Sequence, residues 1–127
     1  KANFKNDLPH GKGVGFYENG EKYVENNFNL GKEHGKQITW FQNGNKHSEY
    51  NFVNGKMSGK QYNWYEDGQI DLVNNFSNGL KHGIQLNYFP NGKLEFEGEY
   101  ENGEKIGSHK TYDQKGKIIE ELSYNFN

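Results

Sequence analysis

The chain contains neither cysteine nor arginine among its 127 residues. The first absence excludes disulfides and thiolate metal ligands without fixing a compartment. The second leaves lysine as the sole basic side chain besides histidine, with lysines and acids interspersed to a net charge of −2. Nucleic-acid readers rely on arginine forks and a basic face; with neither, nucleic-acid binding is not expected. No apolar run approaches the roughly 18 residues of a membrane-spanning helix, and no signal peptide is visible. Because it starts at Lys1, the chain reads as a mature form or as a piece of a longer array. Helical patterning is also missing, since no apolar residues recur at i, i+3 and i+4 over a helical length.

What is present is repetition. Phe4, Phe28, Phe52, Phe76, Tyr100 and Tyr124 recur every 24 residues. Gly11, Gly35, Gly59, Gly83 and Gly107 follow seven positions later, and Gly20, Gly44, Gly68, Gly92 and Gly116 sixteen positions later. A third column holds Gly31, Gly55, Gly79 and Gly103, with Asp7 as its exception. Glycine therefore punctuates a fixed period, the mark of units that stack on their neighbours. The expected organisation is one repeat domain over residues 1–127. Its units are 4–27, 28–51, 52–75, 76–99 and 100–123, and residues 124–127 start a further strand.

Apolar content of 31% would suit a disordered chain, but aromatic content of 16%, strictly placed, would not. A folded chain with a thin core is expected. Residues 60–65 alternate polar and aromatic, the period of a half-buried strand. Asp67-Gly68 and its sister Asn-Gly pairs predict a tight hairpin turn, and a second strand follows over about 69–76. Asn78-Gly79 is read as the start of a wider turn closing at Gly83. The predicted fold is all-β: an elongated, single-sheet antiparallel meander of five 24-residue β-hairpins. Neighbouring strands about 4.8 Å apart give a twisted ribbon of about 50 Å, with equivalent residues about 10 Å apart.

Alternation predicts one buried stripe of Val14, Ile38, Tyr62 and Leu86 with Phe16, Trp40, Trp64, Tyr88 and Tyr112. The periodic Phe/Tyr marks, Ile70, Leu72, Leu94, Phe96, Ile118 and Leu122 are assigned to the same core. Tyr17, Phe41, Tyr65 and Phe89 are expected on the opposite face. Glu25, Glu49, Glu97 and Glu121 form an acidic row interrupted by Val73.

The unit F-x-x-G-x-x-x-G-K-x-x-x-[WY]-[YF]-x-N-G resembles MORN-type repeats, and more closely their bacterial variant. The likeness is carried best by residues 54–59, Asn-Gly-Lys-Met-Ser-Gly, and 88–93, Tyr-Phe-Pro-Asn-Gly-Lys. It covers essentially the whole chain, while Asp7, Pro9, Lys110, Asp113 and Lys115 in the end units depart from it. The resemblance implies a solenoid-like array serving as a protein-interaction or scaffold module. Eukaryotic members are linked to membrane lipids and cytoskeletal assembly. Bacterial variants are often antitoxin-like and occur in secreted or surface proteins of host-associated bacteria. An extracytoplasmic or cell-surface setting is accordingly favoured over the cytoplasm.

His10, His34 and His82 share a column, but metal ligands must lie within about 2 Å of one ion. Side chains repeating every 10 Å or so do not; they read as solvated turn positions, and no metal or cofactor is expected. Neither a nucleophile–base constellation nor a phosphate loop in its proper context is present, so a non-enzyme is expected. The candidate partner-binding residues are Tyr17, Phe41, Tyr65 and Phe89, because aromatic side chains dominate interface energetics. Another protein is the expected partner, and a glycan chain is the runner-up. Weak membrane-lipid contact through Lys12, Lys36 and Lys60 ranks third, opposed by the acidic row. The open sheet ends allow end-to-end self-association.

Overall fold

The computed structural model describes residues 3–124, and all its regular elements are strands. Residues 125–127, expected to belong to a further strand, lie outside the described residues. Short strands β1 (Phe4–Lys5) and β2 (Leu8–Pro9) form a small hairpin at the start. The main sheet is then built from repeats of one pattern: a six-residue strand, a loop, an eight-residue strand, a tight turn and a two-residue strand; in the last unit the two-residue and six-residue strands run together as one of nine residues and the final strand has seven. Its members are β3 (Gly11–Phe16), β4 (Lys22–Asn29), β5 (Lys32–Glu33), β6 (Gly35–Trp40), β7 (Lys46–Val53), β8 (Lys56–Met57) and β9 (Gly59–Trp64). They continue with β10 (Ile70–Ser77), β11 (Leu80–Lys81), β12 (Gly83–Tyr88), β13 (Leu94–Glu101), β14 (Glu104–Tyr112) and β15 (Ile118–Tyr124). The main path runs in chain order from β3 to β15 without a crossover, and its two ends do not meet. The fold is the expected open antiparallel meander.

The two turns exchange the roles expected of them. Leu30-Gly31, Asn54-Gly55, Asn78-Gly79 and Asn102-Gly103 all have positive φ at both residues. That is the signature of the tight type I′ turn, whose twist suits a hairpin. The glycine-20 column instead closes a three-residue loop. Tyr17 N–H donates to the Glu21 carbonyl, Gly20 N–H donates to the Tyr17 carbonyl, and only Gly20 takes positive φ. The Asn19 side chain caps this loop by accepting the Glu21 N–H at 3.0 Å.

The glycine-83 column marks neither a turn nor a loop end. Between the pairs Phe76↔Lys81 and Val73↔Leu86, β10 spends two residues while its partner spends four. The extra residues form a bulge, and Gly83 supplies the φ of 102° it needs. Asn75 holds the bulge open: its carbonyl accepts the His82 N–H at 2.9 Å and its side-chain amide donates to the Ile84 carbonyl. Asn27 repeats the arrangement with His34 and Lys36.

Register also corrects the predicted core. Val14 faces Glu25 across the ladder, whereas Gly11, Gly13 and Gly15 face Phe28, Asn26 and Val24. Directly paired residues share a face, so the Phe/Tyr marks lie opposite the Val14 and Trp40 rows. Leu72, Phe96 and Leu122 go with the marks; Ile70, Leu94 and Ile118 stay with the tryptophans. Among the described residues Val73 is the single buried apolar side chain, while Ser48, Gln61, Gln85 and His109 are buried and polar. A single sheet has no second layer to bury an apolar stripe against, so the sheet's interior is closed by hydrogen-bonded polar groups.

Candidate functional site

The tyrosine face carries Tyr17, Phe41, Tyr65 and Phe89 at the loop margin and Phe28, Phe52, Phe76 and Tyr100 at the turn margin. All eight are half-buried. The floor between these two rows is polar. Asn74 donates to Gln61 Oε1 at 3.0 Å, and Gln61 donates to Asn63 Oδ1 at 3.0 Å. Gln85 accepts the Asn75 N–H at 3.0 Å and is 2% exposed. The Thr39 and Ser48 hydroxyls form a further short bond. In the last unit His109 takes the glutamine position, enclosed by Phe96, Tyr100 and Tyr124. Gly98 makes room for it, since a Cβ there would stand 2.5 Å from His109 Nδ1.

The four candidate rings therefore share one face, as expected, and the two tyrosines among them also join units. The Tyr17 hydroxyl donates to the Trp40 carbonyl at 2.7 Å, and the Tyr65 hydroxyl donates to the Tyr88 carbonyl at 2.6 Å. Phe41 packs edge-on against His47 at 4.7 Å. Burial, followed by the nearby Asp71 carboxylate, raises the Tyr65 pKa above the ordinary tyrosine value. This row thus has structural contacts along one edge and free ring surface elsewhere. In the last unit Asp113 takes the place of the ring and caps its own loop, accepting the Lys115 N–H at 2.9 Å.

The floor amides were not singled out from the sequence. Part of their signal was available: Gln37, Gln61 and Gln85 recur at the 24-residue period. The three histidines of the turn column, expected at solvated positions, each also link units. His10, His34 and His82 accept through Nδ1 the backbone N–H of Leu30, Asn54 and Asn102, at 3.3, 3.2 and 3.4 Å. Each type I′ turn is tied to its predecessor by a backbone bond as well, such as Gly79 N–H to the Met57 carbonyl at 2.9 Å.

The tryptophan face carries the lysine and glutamate columns. Glu25 lies between Lys12 and Lys22 at 3.0 and 3.2 Å, and the Lys12 hydrogen bond foremost holds its pKa below the usual glutamate value. Glu49 lies likewise between Lys36 and Lys46. The Lys22 and Lys46 ammonium groups extend over the Trp40 and Trp64 rings of the following unit, at 5.7 and 5.8 Å. Among the described residues no three His, Asp or Glu side chains gather as metal ligands would.

Three segments match the family described as MORN repeat variant: residues 33–54, 81–102 and 105–125, together just over half of the chain. All start at or just after a two-residue strand position and run through one hairpin, and all share the same phase of the 24-residue period. Unmatched β9 and β10 between them form the same hairpin, with the same one-residue register shift beside the loop, here between Ile70 and Leu72. No curated protein matches the chain. With hairpin, period and matched segments in agreement, the chain belongs to the family of MORN repeat variants.

Proposed function

We propose that this array is a non-catalytic module that binds another protein along its tyrosine face. Repeats of this family are in general modules that engage proteins and membranes. The observation that carries the reading is the pairing of two rows of half-buried rings with a floor of ordered amides on one face. An extended polypeptide can bury apolar side chains against the rings and exchange hydrogen bonds with the floor. Preorganised amides and rings also lower the ordering cost of binding. An immunity role is the special case in which the partner is a toxin.

A second reading, glycan binding at a cell envelope, draws support from the same repetition. A ring and an amide recurring every 24 residues would serve a polymer with equivalent subsites. The test uses the immobilised array as bait for source-organism extract and for cell-wall polysaccharide, beside an array with Tyr17, Phe41, Tyr65 and Phe89 all changed to Leu. One stoichiometric protein is expected on the wild type and its loss from the variant, with circular dichroism unchanged. Retention of polysaccharide with no captured protein would replace the first reading by the second.

A further inference from the structure

The tryptophan face changes character from one end of the array to the other. In the first two units a carboxylate lies between two ammonium groups, Lys12–Glu25–Lys22 and Lys36–Glu49–Lys46, so each group has net positive charge. In the middle unit Lys60 keeps its column, but Ile70 and Val73 replace the second lysine and the carboxylate. The next unit continues the apolar stretch with Ile84, Leu86 and Leu94, and Ile84 is 46% exposed. At the far end the charge order is inverted. Lys110 lies in register between Glu97 and Glu121, and Glu99 shares their face opposite Ile84.

Read lengthwise, the face is basic, then apolar, then acidic. Such a pattern complements its own reversed copy. We propose that the tryptophan face seats a second copy of this chain, turned end for end about a two-fold axis near the middle unit. Lys36 of each protomer then faces Glu97 and Glu99 of the other, Lys60 lies two strands further in on the same side, and the two apolar centres meet. This is an isologous contact, which closes at two copies.

Twisted sheets pack face to face at about 30°, so contact is confined to the middle three units. Strand spacing and rise make that area about 30 Å by 20 Å, or roughly 600 Å² per protomer. A total near 1,200 Å² is at the low end for specific interfaces, so the dimer is weak and salt-sensitive. The tyrosine face stays outward, which makes this inference independent of the proposed partner site.

Sedimentation velocity on the full chain tests it, from micromolar to near-millimolar concentration, at low and high salt. The wild type is expected to dimerise, with dissociation strengthened about tenfold or more as salt screens the charges. Ile84→Glu should give a monomer. So should Lys36→Glu/Lys60→Glu and, separately, Glu97→Lys/Glu99→Lys, each with unchanged circular dichroism. An equimolar mixture of the two charge-reversed chains should dimerise again, a rescue that misfolded chains would not show. A wild type that stays monomeric throughout would overturn the proposal. So would a dimer that survives all three variants, because its contact would then lie on the strand edges.

Discussion

Tyr65 shows how one side chain serves the array before it serves any partner. Its hydroxyl holds the Tyr88 carbonyl of the next unit at 2.6 Å, and a hydrogen bond of this kind contributes about 1 kcal/mol net. Tyr65→Phe should lower stability by about that amount in urea unfolding. The same group sets a pH dependence. Burial first, then Asp71, raises its folded pKa above the unfolded value, so its contribution is complete below the ordinary tyrosine range, near pH ~10. That contribution disappears as pH rises through the folded pKa. Wild-type Tm should therefore fall more steeply than that of Tyr65→Phe in strongly alkaline buffer, and parallel falls would refute the assignment. Gly98 makes the complementary case, where a missing side chain matters. Its would-be Cβ lies 2.5 Å from His109 Nδ1 and 2.8 Å from Phe96, so Gly98→Ala should cost about 1–3 kcal/mol by overpacking. An unchanged melting temperature would show that His109 shifts freely.

At the level of the hairpin, the two kinds of turn follow different rules, and this explains what could be read from the sequence. The number of long strands, their order and the period follow from spacing alone and were legible; the two-residue strands were not. Assigning turn types required knowing which Asn-Gly pair takes positive φ twice, and both glycine columns offer such pairs. Asn19 does not take positive φ because its side chain caps a three-residue loop; Asn78 does because its strands continue without an intervening residue. The bulge at Gly83 was hidden for a related reason. It inserts two residues into one strand and so leaves the alternation of faces intact; what displaces the face assignment is the one-residue register shift beside the loop, between Ile70 and Leu72. The Tyr17 row was nonetheless placed on the correct side of the Trp40 row, because both precede the loop on one unbulged strand. The buried amides were missed because a thin sheet closes its interior with hydrogen bonds, and hydrophobic patterning does not reveal that. Leu30 tests the turn rule directly. It has a φ of 46°, where sister turns use asparagine. Leu30→Asn should stabilise the protein by about 0.5–1 kcal/mol by relieving left-handed strain, read as a raised Tm. A lowered Tm would mean that the leucine side chain contributes more than its strain costs.

For the molecule as a whole, each hairpin touches only its neighbours, so stability is a sum over units and junctions. Excising residues 52–75, one full period, should leave a cooperatively folding array with a lower Tm. Excising residues 52–74 shifts every later side chain to the wrong face and should abolish cooperative unfolding. Equal behaviour of the two deletions would contradict the register. The length of the array also bears on function, since a protein partner engages an irregular patch whereas a polymer engages every unit alike. The central claim is that a protein binds the tyrosine face, and it is tested most directly by measuring the captured partner's affinity for four single variants. These are Tyr17→Leu, Phe41→Leu, Tyr65→Leu and Phe89→Leu, each checked for native circular dichroism. The expected loss is tenfold or so, about 1.4 kcal/mol, concentrated at one or two of the rings. No loss at any of the four, or equal small losses at all of them, would contradict it.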